Sequence, residues 1–203
     1  MDDTARPDEL NVSLVAPPLV LRCKVCLLGD STVGKTSIAQ VFKNGSSGFP
    51  KNYNMTVGLD FLVRQVPIED TTAVVEMYMV DCGGFSVSQD LLRPHWENAN
   101  AFMLVYDVTN PDSLDNLASW YEQIQMSRPE SAITGVVVAS KMDLVDFPGC
   151  VSADEGKKFA AEKGLEFFDV CASRGNVEQP FALLALHYYN KYRERLAELE
   201  TLA

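Results

Sequence analysis

The sequence predicts an α/β fold: a six-stranded, mostly parallel sheet with helices on both faces. Three observations predict it. Near-continuous apolar runs such as AFMLVYD and GVVVAS have the pattern of strands buried on both sides. Amphipathic segments alternate with these runs, the order that joins parallel strands through helical crossovers. One Gly-containing turn, GDSTVGKT, separates the first apolar strand from the first helix.

The elements follow in order. Residues 1–18 are polar and end in Pro17-Pro18, so a flexible leader is expected, with one domain over 19–203. A strand is expected at 20–28 and a helix from Lys35 to about Phe42. Strands at 58–67 and 73–80 flank Glu69-Asp70-Thr71, a hairpin signal that makes one sheet edge antiparallel. Strands follow at 101–107 and 135–140. Between them, a helix over 112–127 places Leu114, Leu117, Tyr121 and Ile124 on one face. Ser152-Ala-Asp-Glu155 is a capping box, and its helix stops at Gly164. The last strand is expected at 165–171. The last helix opens with Pro180 in its first turn and runs to about Leu202.

Composition narrows the chemistry. A net charge of −11 over 203 residues argues against unaided binding to nucleic acid or anionic membranes. No apolar run is long enough to span a bilayer, and MDDTARPDEL lacks the order of a secretory signal. Five cysteines at irregular spacings fit reduced thiols better than a disulfide framework. Cys23 and Cys26 form a CxxC inside a strand, where residues three apart point to opposite faces, so they do not pair as metal or redox ligands. The two histidines, His95 and His187, are far apart and read as core or surface residues.

The strongest motif is Gly29-Asp30-Ser31-Thr32-Val33-Gly34-Lys35-Thr36, with Ser37 following. It matches GxxxxGK[ST] between strand and helix, where backbone N–H groups and the helix N-terminus cradle phosphates. Lys35 supplies a point charge to the outer phosphates and Thr36 a hydroxyl for Mg²⁺. The motif alone leaves kinases, ATPases and GTPases open.

The segments after it are NMTVGLDF, VDCGG, LVYDVTN, ASKMDL and VCAS. On this series, over about residues 20–195, the chain resembles the Ras-superfamily small GTPases, their Rab branch in particular. The resemblance implies a P-loop small-GTPase fold that binds GTP or GDP with Mg²⁺. It implies that Thr56 completes the metal site and that Asp81 holds Mg²⁺ through a water. It further implies that Gly84 senses the γ-phosphate and that Phe49 sets an aromatic edge against the guanine. Lys141 and Asp143 match the base-recognition pair. A carboxylate accepts two hydrogen bonds from guanine and would be left unpaired by adenine. Cys171, Ala172 and Ser173 align with the last base loop. Ser140 stands where the family has asparagine, so guanine preference is expected to persist with reduced affinity.

Phe85 stands where the family has the glutamine that orients the attacking water. Slow intrinsic hydrolysis is therefore expected; the alternative is that Phe85 packs under the loop while another group positions the water. The chain ends ELETLA and its last cysteine is Cys171, so no direct lipid anchor is expected. Leu184, Tyr188, Tyr192, Leu196 and Leu199 form a stripe on the last helix. Its first half is expected in the core, and its second half is either solvated or docked to a partner.

LRCKV, STVGK and YNMTVGLDF are most similar to the Rab-like branch of the intraflagellar-transport machinery. That resemblance implies a subunit of the anterograde complex, paired with a small β-sandwich partner subunit and linked to a ciliary cargo adaptor. Its place would be the cytoplasm and the cilium or flagellum with its base. Alternatives are a structural subunit merely stabilised by nucleotide, a Rab-like vesicle-trafficking GTPase outside cilia, and a P-loop phosphotransferase. The guanine-reading Asp143 argues against the last.

Overall fold

A computed structural model describes residues 17–52, 54–83, 94–129 and 132–202. Six strands form one sheet: β1 (Val20–Leu28), β2 (Leu59–Pro67), β3 (Val74–Cys82), β4 (Ala101–Asp107), β5 (Gly135–Ser140) and β6 (Glu166–Asp169). Their spatial order is β2-β3-β1-β4-β5-β6. Only β2 runs antiparallel, joined to β3 by a turn in which Asp70 adopts a left-handed φ of 56°. The chain leaves β1 toward β3 on one side and returns through β4 on the other. A crevice therefore opens beyond the carboxyl end of β1, the place where open α/β sheets bind ligands.

The helices are α1 (Lys35–Asn44), α2 (Pro111–Asp115), α3 (Leu117–Ser127), α4 (Ala153–Glu162) and α5 (Glu178–Leu202). Strand alternation distributes the core over both faces. Cys23, Val25 and Leu27 of β1 pack with Ile38 and Phe42 of α1 and Phe181 and Leu184 of α5. Cys26 and Leu28 face the other way, toward Trp120 and Ile124 of α3 and Ala160 of α4. The CxxC cysteines thus lie in separate halves of the core, both as free thiols. Phe42 and Phe181 stack with ring centroids 3.8 Å apart and fix α1 against α5.

Several expectations shift in detail. β3 continues two residues past 80, because Asp81 and Cys82 still pair with Asp60 and Leu59. β6, an edge strand, is shorter than 165–171. The helix over 112–127 divides at Asn116, whose side chain is drawn to Asp30. Its buried face holds Leu117, Trp120 and Ile124, while Leu114 and Tyr121 are only partly buried. α5 begins at Glu178, two residues before Pro180. Leu184 is buried and Leu199 is 63% exposed, so the stripe on α5 sinks into the core only in its first half. The Ser152–Glu155 capping box forms as expected. Among the described residues, no helix is long and apolar enough to cross a membrane.

Candidate nucleotide-binding site

The turn after β1 is shaped by what glycine permits. Gly29 has φ 138°, and a Cβ there would come within 2.1 Å of the Val105 carbonyl oxygen. Gly34, at φ 103°, opens α1. Between them Thr32 also lies in the left-handed region, at φ 68°. This backbone curls over a cavity of about 420 Å³ lined by Ser31, Thr32, Lys35, Thr36, Ser37 and Thr56, among others. Gly29, Asp30 and Val33 do not line it. Asp30 turns its carboxylate to α3, accepting from Trp120 Nε1 at 2.9 Å and Asn116 Nδ2 at 2.7 Å. Val33 is buried, and its carbonyl accepts from the Ser140 hydroxyl.

Lys35 is 5% exposed and donates to the carbonyls of Gly29 at 2.8 Å and Asp30 at 2.6 Å. Burial pulls its pKa down to about 8, against the upward pull of Asp81, Cys82 and Asp30. Burial also pushes the Asp81 carboxyl above its ordinary range, against the lowering effects of Thr36, Lys35 and Thr56. Each group therefore calls for a partner of opposite charge: an anion for Lys35 and a cation for Asp81.

Thr36 Oγ1, Thr56 Oγ1 and Asp81 Oδ2 converge. Thr56 lies 2.9 Å from Thr36 and 3.2 Å from Asp81. Among the described residues, the buried Asp81 Oδ1 has no hydrogen-bond partner. Two hydroxyls beside a carboxylate with an orphaned oxygen form a hard-oxygen donor set, which fits Mg²⁺.

A second cavity of about 190 Å³ adjoins the first, and both are lined by Gly34, Ser37, Phe49 and Lys141. Asp143, Ser140, Ala172 and Ser173 also line it. Asp143 accepts from Cys171 Sγ at 3.2 Å and Ser173 Oγ at 3.1 Å. Partial burial pushes the Asp143 pKa up. The Cys171 thiol, its own backbone N–H and the Ser173 hydroxyl outweigh that and hold it below the ordinary carboxylate value. Cys171 therefore faces the carboxylate rather than the cavity. Gly84 and Phe85 lie outside the described residues.

Some residues of this region have no role assigned in the motif reading. Asp107, at the end of β4, accepts from Lys141 Nζ at 2.5 Å. Its signal was an aspartate ending a buried strand. Gly83 donates its N–H to Gly58 O at 2.8 Å, and a Cβ there would come within 2.7 Å of Thr56 O. The first glycine of DCGG thus lets the Thr56 segment lie against the end of β3. Gln40, Asn52 and Asn54 also line the larger cavity, with no sequence signal to single them out.

The sequence matches the Ras family over residues 24–190. The chain belongs to that family, which implies guanine-nucleotide binding. Among individual proteins, it is 37% identical to human intraflagellar transport protein 27 homolog, over 90% of this chain and 98% of that protein. Intraflagellar transport protein 27 of Chlamydomonas reinhardtii is 33% identical, over 89% of this chain and 90% of the other. Human Ras-related protein Rab-8B is 29% identical, over 85% and 81%. The chain is thus more similar to the transport proteins than to Rab-8B, as LRCKV, STVGK and YNMTVGLDF led us to expect.

Proposed function

We propose that this chain is a guanine-nucleotide switch with slow intrinsic GTP hydrolysis, working as a Rab-like subunit of intraflagellar transport. The observation that carries the nucleotide reading is the junction of the two cavities. The larger has the Lys35 ammonium and the P-loop backbone for phosphates. The smaller has the Asp143 carboxylate for a base that offers two N–H donors. Phe49 and Lys141, common to both, supply an aromatic ring and an alkyl stem for the faces of the base.

Thr36, Thr56 and Asp81 would hold Mg²⁺, which neutralises phosphate charge when bound. Thr56 belongs to the segment after the first helix, so a ligand that engages its hydroxyl also orders that segment, as nucleotide switches require. Slow turnover rests on Phe85, whose ring has no donor or acceptor to orient a water. The transport role is supported by the relatives' names and by their coverage of nearly the whole chain. On that resemblance, the partners are a small β-sandwich subunit, other transport subunits and a ciliary cargo adaptor, and the location is the cilium or flagellum and its base.

Identifying the nucleotide that co-purifies tests the reading. GTP is expected; predominant GDP would count against slow turnover, and ATP would overturn the base assignment. A single-turnover assay then compares the wild type with Phe85→Gln, in which faster hydrolysis is expected.

A further inference from the structure

Asp107 is 5% exposed, and its carboxylate is held on both oxygens. Oδ1 accepts from the Thr109 N–H at 2.9 Å and its hydroxyl at 2.8 Å. The Asp107 N–H donates to the buried Ser113 hydroxyl at 3.0 Å. These bonds close the turn after β4 and account for Oδ1. They leave Oδ2 free to serve Lys141, at 2.5 Å. Lys141 follows Ser140, the register partner of Asp107 across β4 and β5. Its backbone sits at φ 62°, a conformation uncommon for residues with a side chain. Its side chain lines both cavities and is 34% exposed, against 7% for Asp107.

An ion pair between two mobile surface side chains contributes little, because both must be ordered to form it. Here one partner is already fixed, so only the lysine loses freedom. We propose that Asp107 is a positioning residue for nucleotide recognition. It holds Lys141 across the junction of the phosphate and base cavities, so that the lysine stem is in place before the nucleotide arrives. The inference rests on the guanine-nucleotide reading above. Ordering the lysine in advance removes part of the cost of binding, and losing that order speeds ligand departure.

The test uses the full chain loaded with a fluorescent N-methylanthraniloyl GDP and chased with excess GDP in magnesium. Asp107→Asn keeps the shape but removes the charge, and release about tenfold faster is expected, the lower end for the loss of one hydrogen bond between charged groups. A fold defect would lower the loaded fraction; lost positioning shows as faster release from protein that did load. In a Lys141→Met background, measured on the loaded fraction, Asp107→Asn should add no acceleration. Thr109→Val keeps the carboxylate and the backbone bond to Oδ1 but removes the hydroxyl bond, and a smaller acceleration is expected. Unchanged release in Asp107→Asn overturns the proposal, as does unchanged release in Thr109→Val should the first variant not fold. A full Asp107→Asn effect without Lys141 also overturns it, since Asp107 would then serve the turn alone. Failure of the wild type to retain the guanine analogue would instead overturn the nucleotide reading.

Discussion

Thr36 Oγ1 donates to Asp81 Oδ2 at 2.5 Å although the two residues stand 45 positions apart in sequence. The sheet makes the meeting possible. β1 and β3 pair in parallel, with Leu27 opposite Asp81, so the start of α1 and the end of β3 reach the same crevice. A buried carboxylate with one oxygen unpartnered among the described residues is costly unless a cation takes it. Asp81→Asn keeps the shape and removes the charge. Release of labelled GDP in magnesium should then approach the rate that EDTA produces in the wild type. Wild-type retention in this variant would remove Asp81 from the metal site.

Asp143 presents two acceptors to the smaller cavity, the complement of the guanine N1–H and amino group. Asparagine presents one acceptor and one donor. Xanthine offers an N–H and a carbonyl there, so Asp143→Asn should exchange guanine preference for xanthine preference. A relative change on the order of 10⁴ is expected, since a site built for one hydrogen-bond pattern leaves groups unpaired with the other. Competition of GDP and XDP against a labelled nucleotide measures it, and unchanged preference would detach Asp143 from the base.

Cys23 gives a stability test remote from the site. It is fully buried on the α1–α5 side of β1, and burial pushes its thiol from 9.0 up to about 12. Above pH 9 the unfolded chain sheds this proton while the folded chain keeps it. The folded state then binds more protons, so stability falls as pH rises from about 9 toward 12. Between pH 8 and pH 10 the wild type should lose about 1.4 kcal/mol relative to Cys23→Ala, the equivalent of one pH unit of linkage. Urea unfolding of both proteins at the two pH values measures the difference. Parallel changes would mean that Cys23 ionises as readily in the folded state.

The layers and the site differ in how far the sequence disclosed them. Buried strands announce themselves because both faces must be apolar, and the runs AFMLVYD and GVVVAS did so over their full length. The P-loop was legible because glycine, lysine and threonine are each required at one spacing. Where tertiary contacts decide, the signal fades. Periodicity put Tyr121 on the buried face of α3, yet Trp120 takes that place, its indole N–H donating to Asp30 of the P-loop. Asp107 stood inside LVYDVTN without a role of its own, because its partner lies 34 residues away on another strand end. Gly83 was legible in part: the paired glycines of DCGG signalled a close backbone approach, and only the fold shows that the Thr56 backbone is what approaches.

Ser140 joins the two halves of the site. It is 2% exposed at the end of β5, and its hydroxyl donates to the Val33 carbonyl in the middle of the P-loop. The same residue lines the base cavity. A serine is too short to send one polar group to the loop and another to the base, so here the hydroxyl is committed to the loop. Its contribution is therefore the loop's shape. Ser140→Ala removes the donor, leaves the Val33 carbonyl without it and costs about 1 kcal/mol. Release of labelled GDP should accelerate by about fivefold, the same energy expressed as a rate. Because the lost bond is on the loop side, the preference for GDP over ADP should be retained in competition. A variant that releases nucleotide at the wild-type rate would show that the loop holds its shape without Ser140, and a collapse of base preference would show that the hydroxyl serves the base instead.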